Sequence, residues 1–497
     1  MSKTFFGHPR GLATLFLTEM WERFTFYGMR AVLILFLVAA VASGGLGLDD
    51  KTAAAIYGLY NSAVYLAALP GGWVADRLIG AQRAVMLGGL AITAGNLLLA
   101  ISTTAGGFYI GLVVIIIGVG LLKPNVSAIV AGLYPEGGAR LDSAFTIFYI
   151  GINVGAALGP LVIPVAQIYF GLRAGFGVGA VFMFLGVVQF YFTRKYLGEA
   201  GVHPAPIHAA GGAQALVPRS KEWMRLWIGV AILIAVLAAV NIGWIAVNPL
   251  RLAQAAAYII GGMGVLYCAY YFIFADLSPE ERKRGVVLVV LFCGCALFFS
   301  GFEQAGSSMN LFAERYTDRS IGWLHFVIPT GWFQSFNSIF IVLFAPFFAW
   351  MWIALARRNL NPSATAKFAL GVMLMGTGFL VMAAAAAIVA HGSQVLPYWL
   401  IMTYLFHTFG ELCLSPVGLS YYTKLAPKRF VGQMMGMWFL ATSLGNLVAG
   451  LIAGEFDANN VAAMPGQYMH IVYFSVGVGA VLLVLSRPLK KLMGGVQ

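Results

Sequence analysis

Long apolar runs, one after another, govern what this chain can fold into. They fall near residues 12–40, 53–75, 84–103, 108–133, 144–170, 175–193, 226–247, 252–275, 286–312, 326–356, 368–390, 395–423, 431–454 and 468–486. A helix needs ~20 apolar residues to cross a ~30 Å hydrocarbon core, so every run is long enough or nearly so, and the longest must tilt or kink. In lipid each backbone N–H and C=O has to be satisfied within its own segment, which leaves helices or closed barrels; runs of this length are helical. The pattern therefore predicts an all-α membrane protein with about fourteen spans. Composition agrees: 60% of residues are hydrophobic, 10% are charged and the mean hydropathy is +0.86, whereas soluble domains carry about 25% charged residues. The 60 glycines suit close helix packing, because small residues let backbones approach in lipid.

Loop charge orients the spans. With the N-terminus inside and strict alternation, 22 of the 30 Lys and Arg fall on the inside, five outside and three (Arg23, Arg30, Lys123) within spans. That asymmetry assigns both termini to the cytoplasm. The net charge of +12 is a consequence of this loop bias, and no soluble basic segment offers a surface for nucleic acid. The four cysteines, Cys268, Cys293, Cys295 and Cys413, lie in apolar runs without metal-ligand spacing and read as small apolar fillers. The first run is too long and too charged for a cleavable signal peptide.

Six spans precede a Gly-, Ala- and Pro-rich stretch, two plain spans follow it, and six more come after. The simplest division is a six-helix bundle at 1–197, a cytoplasmic linker at 198–222, two inserted helices at 223–276 and a second six-helix bundle at 277–497. The inserted pair carries no mid-span charge and is expected at the periphery.

Charges inside the spans point to function. The first run contains Glu19-Met-Trp-Glu22-Arg23-Phe-Thr-Phe-Tyr27-Gly28-Met-Arg30. At ~100° per residue Glu19, Glu22, Arg23, Tyr27 and Arg30 share roughly 140° of arc, one polar stripe. Charges at that depth cost at least ~2.5–3.5 kcal/mol each and normally face a cavity or a partner. Only four of the 18 acids lie well inside spans: Glu19, Glu22, Glu303 and Glu411. Against three buried bases one carboxylate is left over, and an uncompensated buried carboxylate takes up a proton. Lys123 precedes Pro124, which frees a carbonyl and predicts a kink and a polar pocket. His407 stands four residues before Glu411 and reads either as a packed core histidine or as a proton partner. Arg30 and Lys123 lie in the first bundle, Glu303 and Glu411 in the second. A cavity positive on one wall and negative on the other suits a zwitterion, and Tyr65, Asn153, Asn337 and Trp438 add surface suited to a peptide bond. No metal-ligand spacing, nucleophile elbow or phosphate loop occurs, so an integral membrane enzyme is not expected.

Three motifs carry a family resemblance. Glu19-x-x-Glu22-Arg23-Phe-x-x-Tyr27-Gly28 resembles the E-x-x-E-R-F-x-Y-Y signature of the proton-dependent oligopeptide transporters of the major facilitator superfamily, with Phe26 in place of the first Tyr. Phe148-Tyr149-Ile-Gly-Ile-Asn153-Val-Gly155 is similar to the fifth-helix signature, and Gly410-Glu411-Leu-x-x-Ser415-Pro416 to the tenth. Gly71-Gly72-Trp-Val-Ala-Asp76-Arg77 resembles the superfamily's loop between helices two and three. The resemblance implies a major facilitator fold, two six-helix bundles plus two extra helices of the bacterial type. It implies a monomeric, cofactor-free symporter of the cell inner membrane, with small peptides, protons and lipid as partners. Glu19, Glu22, Arg23 and Glu303 would couple protons to gating. Arg30 and Lys123 would hold the peptide carboxylate and Glu411 its amine, with Tyr27, Tyr65, Asn153, Glu303, Asn337, Ser415 and Trp438 lining the site. Two departures stand out: no His occurs in the second span, and Ser338 follows Asn337 where the family usually has Pro, which puts a helix break there in question. The alternative is a proton-coupled transporter of nitrate or another small anion on the same fold.

Overall fold

The computed structural model describes residues 4–204, 220–456 and 460–494, so part of the linker, 205–219, lies outside the described residues. In chain order the helices are α1 (Arg10–Val38), α2 (Asp50–Val74), α3 (Ala81–Ile101), α4 (Ala105–Gly132), α5 (Gly138–Phe170), α6 (Ala174–Thr193), α7 (Ser220–Asn241) and α8 (Pro249–Phe274). There follow α9 (Pro279–Phe302), α10 (Ser308–Tyr316), α11 (Trp332–Arg357), α12 (Ala364–Ala390), α13 (Tyr398–Leu425), α14 (Val431–Ala453) and α15 (Met464–Leu492). Between α10 and α11 a small hairpin pairs β1 (Ser320–Ile321) with β2 (Phe326–Val327). The run expected to begin near 326 therefore opens with a strand, and its helix starts at Trp332. Among the described residues thirteen segments are long and apolar enough to cross a membrane, α9 and α10 counting as one. α1 is as long at 29 residues but carries Arg10, Glu19, Glu22, Arg23 and Arg30; with it the fourteen expected spans are all helices.

The chain packs as two compact units. The first comprises Met1–Val32 and Ala63–Asn248, the second Leu33–Ser62 and Pro249–Gln497. α1 and α2 thus each contribute residues to both. No residue in the most apolar stretch of α7 is buried, and in α8 only 17% are. Such helices suit a lipid-facing periphery, as their plain sequences predict.

Within the first unit, glycines set how closely helices approach. Gly151, Gly155 and Gly159 recur every fourth residue and so form one ridge on α5. A Cβ on Gly155 would lie 2.2 Å from the Met20 carbonyl oxygen, and one on Gly159 2.1 Å from that of Phe24. The ridge holds the part of α1 that bears the charged stripe. α2 meets α4 in the same way, since a Cβ on Gly71 would lie 1.9 Å from the Gly120 carbonyl oxygen. That is the carbonyl left without its helical donor by Pro124, and α4 runs through Pro124 unbroken.

In the second unit the start of α2 is tied down by side chains. Asp49 accepts the Thr52 N–H at 2.9 Å, which holds its carboxyl below the usual carboxylate range. Arg315 makes a two-pronged pair with Asp50 at 2.5 and 2.7 Å. Lys51 meets Glu455 at 3.0 Å, and Ser62 and Ser443 share a hydrogen bond of 2.7 Å. α9 opens with a capping box, Ser278 accepting from the Glu281 N–H and Glu281 from the Ser278 N–H, with Pro279 in the first turn.

Candidate functional site

The residues singled out by charge fall into two groups, one in each unit. In the first unit the stripe on α1 is a buried ion cluster. Arg23 Nε lies 3.0 Å from Glu19 Oε1 and 2.5 Å from Glu22 Oε2, with the Glu22 side chain fully enclosed and the other two 4% exposed. The i, i+4 spacing places Glu19 and Arg23 on one face, and adjacency lets the flexible Arg23 stem swing to Glu22 as well. One guanidinium therefore faces two carboxylates out of water. That leaves one negative charge in excess in low dielectric. Arg23 also lies over the Phe26 ring, 5.3 Å from its centre.

The other members of this unit surround that core. Arg30, buried, lies 5.7 Å from the centre of the Tyr27 ring. Lys123 of α4 places its Nζ 4.2 Å from the centre of the Tyr65 ring, and its charge acts on Glu19. Asn153 of α5, also buried, donates to the Tyr149 carbonyl at 2.9 Å. Asn125, beside Pro124, donates to the carbonyls of Leu121 at 2.7 Å and Gly71 at 3.4 Å. It thus supplies a polar link between α4 and α2 at the proline, although the helix is not interrupted.

The second unit holds Glu303, Asn337, Glu411, Ser415 and Trp438. Glu303 lies well inside the span Pro279–Tyr316, where it closes α9 and a 3₁₀ turn, Glu303–Gly306, separates it from α10. Gly301 and Gly306 flank this break, and Ser308 Oγ donates to Gln304 Oε1 at 2.8 Å across it. Glu411 of α13 accepts from Asn337 Nδ2 of α11 at 3.0 Å, and the same amide donates to Thr408 Oγ1 at 3.1 Å. α11 is continuous through Asn337, so Ser338 leaves the helix intact. Thr408, which the charge pattern does not flag, sits three residues before Glu411 on the same helix face. Ser415 lies one turn further on, half-buried. Trp438 of α14 is packed among Tyr422, Phe299 and Phe368, with ring centres 5.6, 6.4 and 6.5 Å away. His407 is enclosed by Phe379 and Phe302, at 4.9 and 6.4 Å between ring centres, the surroundings of a packed core histidine.

What these groups can do follows from their chemistry. The first unit offers cations able to hold a carboxylate and a carboxylate pair able to take a proton. The second offers Glu411, oriented by an amide and able to hold an ammonium group. Among the described residues no group of three His, Cys, Asp or Glu is placed to hold a metal ion.

Residues 82–471 match the model of the family described as PTR2, the POT family. The chain is 42% identical over 504 residues to the peptide transporter YePEPT of Yersinia enterocolitica subsp. palearctica, covering all of this chain and 97% of the relative. It is 34% identical over 506 residues to a di-/tripeptide transporter of Lactococcus lactis subsp. cremoris, covering 100% and 98%. Among solved structures it resembles a mutant of peptide transporter POT in complex with sulfate, with a TM-score of 0.90, 38% identity and coverage of 99% and 98%.

Proposed function

The chain belongs to the POT family, and from that premise we propose that it is a proton-coupled symporter importing di- and tripeptides by alternating access. It is a membrane transporter and not an enzyme, like the relatives it matches. The observation that carries the proton coupling is the two-to-one arrangement of Glu19 and Glu22 on Arg23, almost fully buried. Protonating one carboxylate removes the surplus charge and loosens the hold on Arg23, so one protonation step biases a two-state equilibrium. No cofactor is required, because the proton gradient supplies the drive: ~2.3 kcal/mol per charge per 100 mV and ~1.4 kcal/mol per pH unit.

In this reading Arg30 and Lys123 receive the peptide carboxylate and Glu411 its amine. Glu303 serves as the acid that changes ion-pair partners during the cycle. Tyr27, Tyr65, Asn153, Asn337, Ser415 and Trp438 contribute polar and aromatic surface for the peptide bond and side chains. The protein works as a monomer in the cell inner membrane with both termini cytoplasmic. Transport of nitrate or another small anion is the poorer reading, since an anion gains nothing from Glu411 and the amide that orients it.

The test is uptake of labelled dialanine into liposomes under an inward proton gradient, with competitors. Free dipeptide should compete far better than its N-acetyl or C-amide form. Losing one charge-assisted contact costs about 1.5–3 kcal/mol, or roughly one to two decades of affinity. Equal competition by blocked and free peptides, or strong competition by nitrate, would overturn the zwitterion reading.

A further inference from the structure

Between Asp318 and Glu411 the chain contains no Asp or Glu, yet it contains Arg357, Arg358 and Lys367. Lys367 lies in the first turn of α12, where a helix end favours negative charge and disfavours a cation. α9 shows the usual solution, with Glu280 and Glu281 in its first turn. α12 has no acid there, and Ser363 caps only the Ala366 N–H. Lys367 is also only 9% exposed. A lysine near a membrane surface normally extends its ammonium to water, as the exposed Lys424 and Lys428 do. Lys367 instead packs between α11 and α13, its Nζ 4.4 Å from the centre of the Trp352 ring and its charge within reach of the Cys413 thiol and Lys424. Among the described residues no carboxylate lies within ion-pair distance of it. The Trp352 ring gives that ammonium a cation–π contact but no countercharge.

We propose that the ends of α11 and α12 form a binding site for the phosphate group of an anionic phospholipid, with Lys367 as its buried cation and Arg357 and Arg358 at its mouth. Both arginines are exposed; Arg357 ends α11, Arg358 follows it, and five residues separate Arg358 from the start of α12. Loop charge assigns this end to the cytoplasm, so the lipid belongs to the cytoplasmic leaflet. A membrane lipid fits better than a soluble anion because α11 exposes Phe347, Trp350 and Ile353 just before the arginines. Those side chains give an acyl chain a surface continuous with the phosphate site. Beneath them Phe348, Leu412 and Cys413 form an apolar floor with Met351 and Trp352.

The experiment uses the purified full chain, titrated in detergent with phosphatidylglycerol, phosphatidylcholine or inorganic phosphate. Bound lipid is counted by native mass spectrometry, and thermal melting is followed in parallel. The wild type should retain phosphatidylglycerol over phosphatidylcholine, and Lys367→Met should lower that preference about fivefold, with Lys367→Arg restoring it. The double variant Arg357→Gln/Arg358→Gln should lower it too, and it carries the test if Lys367→Met fails to fold. Equal phosphatidylglycerol retention by the wild type and the folded variants would overturn the proposal. So would protection by inorganic phosphate alone matching that by the lipid, which would mark a site for a free anion.

Discussion

Arg23 faces two carboxylates at once, and that imbalance decides what each acid can do. Glu22 is the more enclosed of the two and makes the shorter contact. Glu22→Gln mimics the protonated acid and cannot cycle. It should lose accumulation against a gradient while keeping peptide exchange across a membrane without one, which counterflow of labelled dialanine measures. If pH-driven accumulation persists in this variant, the proton travels on another acid, with Glu19 and Glu303 next to test. At Lys123, Ala should abolish driven uptake and Arg should restore little, because a broad planar guanidinium fork does not take the place of a compact ammonium with three rotatable donors. Near-normal uptake by Lys123→Ala would make Lys123 a packing residue. Charges of this kind were legible in the sequence because any charge in an apolar run is conspicuous. Hydroxyls were not. Thr408 and Thr442 bond to the carbonyls four residues back in their own helices, so Thr is tolerated throughout apolar helices, and its presence does not mark a contact.

At the scale of elements, helix existence was legible and helix interruption was not. The break at Glu303 is flanked by Gly301 and Gly306, but glycines are equally common in uninterrupted spans of this chain; α4 runs through Gly118, Gly120 and even Pro124. The reverse holds at Asn337, where the absence of Pro matches an unbroken α11. Close approach of helices was legible only as a high glycine content, while the positions emerged from packing. Gly155→Leu tests one of them. It forces side-chain atoms against the Met20 carbonyl and should cost at least about 1–3 kcal/mol, read as a lower melting temperature with uptake lost in parallel. An unchanged melting temperature would mean α5 can shift without consequence. Within the second unit, Asp50→Ala and Arg315→Ala should each destabilise. Their double-mutant cycle should show a coupling of about 1–2 kcal/mol, fitting a two-pronged pair only partly exposed. Strict additivity would show that the pair contributes nothing.

At the scale of the whole molecule, the charges singled out in the spans sort by unit: Glu19, Glu22, Arg23, Arg30 and Lys123 in one, Glu303 and Glu411 in the other. That sorting was visible in chain order, because the charges named in the first six spans are three bases and two acids and those named in the second six are both acids. How the chain divides into compact units was less legible, since α1 and α2 contribute residues to both and no change in composition marks Val32 or Ser62. Symport requires that peptide and proton enter together. The measurement that tests it most directly is internal pH in liposomes containing the purified protein and a trapped pH-sensitive dye. Adding dialanine outside, with no pH gradient and an inside-negative potential, should acidify the interior. The acidification should require peptide and disappear in Glu22→Gln. Peptide uptake without acidification in the wild type would contradict symport, and so would acidification that needs no peptide.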